Sequence, residues 1–143
     1  METKPTNILA ILYRQNPDKG IEFLCLKESE YMNSFWQLLS GTINHFETLS
    51  DALSREVLEK LGNIEIIQVI STEKIFQFID KKGNSCREIL FILESNNQSE
   101  ITLSPQITDF KWLNYSSALS LLKFDRHKEA LAIAFTKILE KSN

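Results

Sequence analysis

Apolar and polar positions divide this chain into stretches with two different periods. NILAILYRQ (7–15) is apolar and β-branched, and it halts at NPDKG (16–20), where Pro17 and Gly20 mark a turn. IEFLCLKES (21–29) then alternates, with Ile21, Phe23, Cys25 and Lys27 on one face and Leu24 and Leu26 on the other. The pair predicts a β-hairpin. FWQLLSG (35–41) predicts one further short extended piece ending at Gly41. IEIIQVIST (64–72), EKIFQFID (73–80) and CREILFILES (86–95) are rich in Ile, Val and Phe and predict three strands, with KKGN (81–84) turning between the last two. SNNQSE (95–100) reads as polar loop, and DFKWLNY (109–115) as a short strand before a helical SSALSLL (116–122).

The helical period is clearest in DRHKEALAIAFTKILEK (125–141), where Ala130, Leu131, Ala134, Phe135, Ile138 and Leu139 form one apolar stripe and Asp125 is placed to cap the start. A second helix is predicted from about Leu49 to Leu61. Thr48-Leu-Ser-Asp51 has the spacing of a capping box with Asp in place of Glu, and Gly62 terminates the helix. Its pattern is unusual. With Leu49 at 0° and about 100° per residue, Ala52, Leu53 and Val57 fall near 300°, 40° and 80°. Glu56 falls near 340° and Lys60 near 20°, inside the sector a helix should bury, with Glu59 near 280° at its border. Glu56 and Lys60 form an i,i+4 pair in the favourable order, and Arg55 and Glu59 a second in reverse order, which is one sufficient explanation.

The bulk numbers add boundaries. A chain of 143 residues predicts one domain, 1–143, able to bury its own core. Mixed strands, with helices in the middle and late in the chain, point to an α/β or α+β layered fold. The net charge of −3 gives no reason to expect a nucleic-acid polymer as partner. No apolar run reaches a membrane span, and METKPTN lacks the apolar stretch of a leader. Cys25 and Cys86 stand in apolar surroundings without metal spacing, so reduced, buried thiols in a cytoplasmic protein are expected.

Candidate chemistry lies in GTINHFETLSDALSREVLEKLGN (41–63). Gly41 is followed five residues later by Glu47, and seven more lead to Arg55-Glu56, then Val57, Leu58, Glu59, Lys60, Leu61 and Gly62. This stretch resembles the box of the Nudix, or MutT-like, hydrolases: Gly, five residues, Glu, seven residues, Arg-Glu, an aliphatic, any residue, Glu-Glu, any residue, Gly, aliphatic. The first hairpin, FWQLLSG and LSPQITDFKWL (103–113) extend the resemblance over nearly the whole chain. The FWQ segment is similar to the branch acting on dATP-like and dihydroneopterin triphosphates, and the hairpin and LSPQ segment to diadenosine tetraphosphate hydrolases.

The resemblance implies an α/β/α sandwich, a mixed sheet between helices, with the box as loop–helix–loop. It implies hydrolysis of a nucleoside diphosphate linked to another group, here a nucleoside triphosphate-like or dinucleoside polyphosphate compound, with Mg2+ or Mn2+. By position Glu56 and Glu59 would be metal ligands, joined by a backbone carbonyl next to Gly41. Arg55 would orient the glutamates, and Glu47, Gly41 and Gly62 would support the loop. Lys27 and Phe35 are candidate contacts for phosphate and base.

Four positions depart from the pattern. Lys60 stands where the second Glu of the pair is usual, Phe46 replaces a loop glycine, Asn63 an aliphatic, and Gln106 a common glutamate. At ~5 Å from a dication and an effective dielectric of 20, one charge is worth roughly 6–7 kcal/mol, so the swing from −1 to +1 is roughly 13 kcal/mol gross, an upper bound for a lysine able to turn away. Three consequences are open: altered hydrolysis, direct contact of Lys60 with substrate phosphate, or nucleotide binding without turnover. Glu73, Glu88, Glu94 and Glu100 could replace the missing carboxylate. His45 reads as surface, His127 as structural or pocket rim, Trp36 and Trp112 as packing aromatics, and Lys81-Lys82 as a solvated turn.

Overall fold

The computed structural model describes residues 5–30 and 33–141; METK of the METKPTN stretch, where no apolar run was found, lies outside them. Seven strands and three helices follow in order: β1 Asn7–Asn16, β2 Gly20–Glu30, β3 Asn33–Gln37, β4 Leu39–Thr42, α1 Leu49–Leu61, β5 Ile66–Ile79, β6 Ser85–Ser95, β7 Ile107–Leu113, α2 Tyr115–Leu121 and α3 Asp125–Lys141. The strands form one mixed sheet in the order β3-β2-β1-β6-β5, with β4 also on β1 and β7 also on β2. Only β1 and β6 run parallel among these pairings.

β1 explains its own apolar run. It is sandwiched on both faces, and Ile8 to Tyr13 are all buried. On one face Leu9, Ile11 and Tyr13 join Phe23 and Cys25 against Ala118, Leu122, Ala130, Leu131, Ala134 and Ile138 of the α2–α3 side. On the other, Ile8, Ala10 and Leu12 join Leu24 and Leu26 against Ala52, Leu53, Val57 and Leu61 of α1. The alternation in β2 thus sorts its side chains between two cores. Trp36 and Trp112 pack at the edges of these cores, and both cysteines are free and buried.

The structure corrects four local expectations. FWQLLSG is two strands, because the chain leaves β2 and crosses to β1 at Leu38; the buried Leu38 N–H there donates to Nδ1 of His127 at 3.1 Å. Residues 64–72 and 73–80 are one strand, β5, with a register shift between Ser71 and Ile75. Thr72 fills that irregularity, its hydroxyl donating to the Leu90 carbonyl at 2.7 Å and accepting from Lys74 N–H at 3.2 Å. Asp125 is the first residue of α3, and the carbonyl of Phe124 before it takes the N–H groups of His127 and Lys128. Leu139, at the end of the expected stripe, is 44% exposed.

The arrangement around β1 positions the site. β1 pairs with β2 through Tyr13–Asn16, and with β4 through Asn7–Ala10. This shift sets Gly41 beside Ile8 and Thr42 beside Asn7, while Asn7 also faces Glu88 of β6. Ile8 belongs to the α1 core, so the Gly41 row faces α1; the Thr42–Asn7–Glu88 row faces the opposite side.

Candidate functional site

α1 begins as the sequence dictates. Thr48 accepts the Asp51 N–H at 3.0 Å, and Gly62, at φ 82°, closes the last turn through the Leu58 carbonyl. Four residues of the apolar stripe go into the core, and Glu56, only 4% exposed, goes with them. A buried carboxylate needs partners. Arg55 supplies one, donating from Nη1 to Oε2 of Glu56 at 3.0 Å. The same guanidinium grips both oxygens of Glu47, at 2.6 and 2.9 Å, and the Thr42 carbonyl at 2.8 Å, and it lies 3.4 Å from Glu59. Glu47 also accepts the Asn44 N–H at 2.7 Å. These bonds hold the Glu47 carboxyl below its usual range and push Arg55 up, the Arg55–Glu47 hydrogen bond being the chief cause for both.

Lys60 supplies the other partner of Glu56. Its Nζ lies 3.1 Å from Glu56 Oε1 and donates to the Ser40 carbonyl. The ion pair is not aligned as a hydrogen bond, so Glu56 Oε1 is buried without one. Gly41 is required here by close approach, since a Cβ at this position would overlap the carboxyl carbon and both oxygens of Glu56. Phe46 departs from glycine at a cost: it has φ 68° and is 97% exposed, its ring packed only edge-on against His45 at 4.4 Å.

On the far side of Gly41 opens a cavity of about 560 Å³. Ser40, Gly41 and Thr42 form one wall, Phe35 and Phe124 another, and the β5–β6 turn with Lys81 and Lys82 its rim. Phe35 meets Phe124 edge-to-face at 5.3 Å, with the Lys123 ammonium 4.5 Å over the Phe35 ring. Arg126 lies 3.8 Å over Phe78 and 4.8 Å over Phe124 and donates to Glu88 at 3.1 Å. Burial pushes the Glu88 carboxyl above its ordinary value, against the opposing pull of Arg126.

The expected site residues therefore divide. Arg55, Glu47, Glu56, Glu59 and Lys60 meet around one guanidinium and one ammonium. Gly41 and Phe35 line the cavity. Lys27 does not line it and lies 5.9 Å from the Trp36 ring, and Gln106 is exposed in a turn before β7. Of the four carboxylates considered as substitutes, Glu88 reaches the cavity; Glu73 and Glu100 are exposed elsewhere, and Glu94 accepts from Tyr13 at 3.3 Å. Lys81 and Lys82, read as a solvated turn, are exposed and face the cavity. Arg126, Phe78 and Phe124 were missed, because nothing local in sequence joins residues so far apart.

The NUDIX domain model matches residues 3–133. The chain belongs to the Nudix family. An RNA pyrophosphohydrolase of a Nitratiruptor species is 28% identical over 145 residues, covering 94% of this chain and 90% of that one. A Caenorhabditis elegans Ap4A hydrolase shares the Nudix fold with a TM-score of 0.79 at 21% identity, over 96% and 99% of the two chains. The Escherichia coli dihydroneopterin triphosphate pyrophosphohydrolase does so with a TM-score of 0.74 at 21% identity, over 92% and 94%.

Nudix hydrolases generally use a divalent metal. Glu56 Oε1 and the Ser40 carbonyl are oxygen donors of the right kind, but the Lys60 ammonium lies against both. Glu59 turns its carboxylate to Arg55, and among the described residues no three Asp, Glu, His or Cys side chains gather as a metal site. This donor set does not fit a resident divalent ion.

Proposed function

We propose that the cavity beside Gly41 binds a nucleoside triphosphate-like or dinucleoside polyphosphate compound and that the chain hydrolyses its pyrophosphate linkage. The observation carrying this reading is the cavity itself: lined by Phe35 and Phe124, by Lys81, Lys82 and Arg126 with the carboxylates of Glu28, Asp80 and Glu88 among them, and walled by the glycine of the Nudix box. Phe35 and Phe124 offer faces for a base, and Lys81 and Lys82 offer positive charge to phosphate oxygens. Arg55 fixes Glu47 and Glu56, holding the box loop against β4. Glu88 lines the cavity with Glu28 and Asp80, and burial keeps its carboxyl above its ordinary pKa, which suits acceptance of a proton from water. Water oxygen bonds to phosphorus, its proton passes to Glu88, and the bridging phosphorus–oxygen bond breaks, its electron pair staying on the oxygen of the departing phosphate group.

The test is 31P NMR of a nucleotide panel incubated with the protein in Mg2+, Mn2+ or chelator. An RNA with a 5′ polyphosphate end is included, since one relative is named an RNA pyrophosphohydrolase. The expected result is release of phosphate or pyrophosphate from at least one compound, falling about 100-fold or more in Glu88→Gln. No release under any condition would overturn the reading. The contact of Lys60 with Glu56 favours a second one, nucleotide binding without turnover, which predicts saturable binding in that same case.

A further inference from the structure

We propose that the Lys60 ammonium is a built-in cation, occupying a cation position made by the Ser40 carbonyl and the Glu56 carboxylate and keeping a divalent ion from it. Three observations converge. Ser40 offers a backbone carbonyl oxygen, and Lys60 donates to it. Glu56 offers a buried carboxylate oxygen that has no hydrogen bond among the described residues and lies 3.1 Å from the same ammonium. Gly41, next to Ser40 in sequence, lies against the Glu56 carboxyl in space, and one ammonium reaches both oxygens, so the two converge on one place.

Carbonyl and carboxylate oxygens are what hard cations bind, and the convergence of two at one spot calls for positive charge. Lys60 provides it from one helical turn away, with 15% of its side chain exposed. An ammonium supplies one charge where Mg2+ or Mn2+ would supply two, but needs no metal from solution. Glu59 does not compete for it, being turned toward Arg55. The positive charge for a ligand's phosphates then comes from side chains, with Lys81, Lys82 and Arg126 lining the cavity.

The inference concerns the ion, and its test does not depend on turnover. Manganese binding is read by electron paramagnetic resonance of free Mn2+ titrated with protein, without nucleotide, for the natural chain and for Lys60→Glu, Lys60→Gln and Lys60→Arg, each checked for fold by circular dichroism. The natural chain and Lys60→Arg should leave the free-ion signal unchanged. Lys60→Glu should capture Mn2+ at least about tenfold more tightly, and Lys60→Gln should shift in the same direction, because removal of a positive charge lowers the cost of placing a dication there. Capture of Mn2+ by the natural chain would overturn the proposal. So would a folded Lys60→Gln that binds no better, which decides the matter if Lys60→Glu does not fold. A failed hydrolysis assay leaves these readings intact, and a failed manganese experiment leaves the hydrolysis assay intact.

Discussion

Residue by residue, the site turns on two positions whose side chains compete for one volume. Gly41 carries no side chain because the Glu56 carboxyl fills the place of its Cβ. Gly41→Ala must drive that carboxylate from Arg55 and Lys60 or move β4, so we expect a loss of about 1–3 kcal/mol in denaturant-induced unfolding, the usual cost of overpacking a filled site. If stability is unchanged, Glu56 is not where this account places it. The spacing of Gly41, Glu47, Arg55 and Glu56 was legible in sequence because the box is local. The helical wheel also revealed a charged pair on the buried sector, and both charges are there, paired as i,i+4 neighbours. The destination of the Lys60 amine was not legible, since the Ser40 carbonyl that receives it is fixed by strand pairing rather than by helical spacing.

At the level of elements, α3 is tied to the β3–β4 crossover by one buried imidazole. His127 is fully buried, accepts the Leu38 N–H at Nδ1 and, among the described residues, has no hydrogen-bond partner at Nε2. Burial, with help from Arg126, lowers its pKa from 6.5 to about 3. The unfolded chain therefore binds a proton that the folded chain refuses, so this contribution is complete above pH 6.5 and is lost as pH falls toward about 3. Glu47, with its carboxyl held low, adds acid loss below about its ordinary 4.5, whereas Glu88, held high, opposes it above that value. Comparing the natural chain with His127→Gln isolates the histidine. The stability difference between them should change across pH 6.5 to 3 with a slope approaching about 1.4 kcal/mol per pH unit, and a flat difference would contradict a buried neutral imidazole. The same crossover shows why sequence merged β3 and β4. Leu38 continues the apolar run, and only its partner on a helix about ninety residues later marks the change of strand.

For the whole molecule, strand order decides what the site contains. α3 was readable from period alone, and the hairpin and α1 from period together with their local turn and cap residues, because each shows its face to a core within its own segment. The cavity was not readable, because it gathers β3, β4, the β5–β6 turn, β6 and the start of α3, which only the folded sheet brings together. The Nudix box therefore announced the family while most of the candidate ligand cavity stayed hidden. Charge is divided by the sheet as well: the Glu56–Lys60 pair lies on the α1 side, and the Glu88–Arg126 pair on the α3 side, with the backbone of Gly41 and Thr42 between them. The account's central claim is that a phosphate-bearing nucleotide binds on the α3 side of this divide and needs no divalent ion to do so. The most direct test is titration of a non-hydrolysable dinucleoside polyphosphate into 15N-labelled protein in excess chelator, followed by amide shifts. The account predicts saturable shifts at Gly41, Thr42, Lys82 and Asn84; no shifts until Mg2+ is added, or shifts confined to the α1–β5 groove around Leu58 and Asn63, would contradict it.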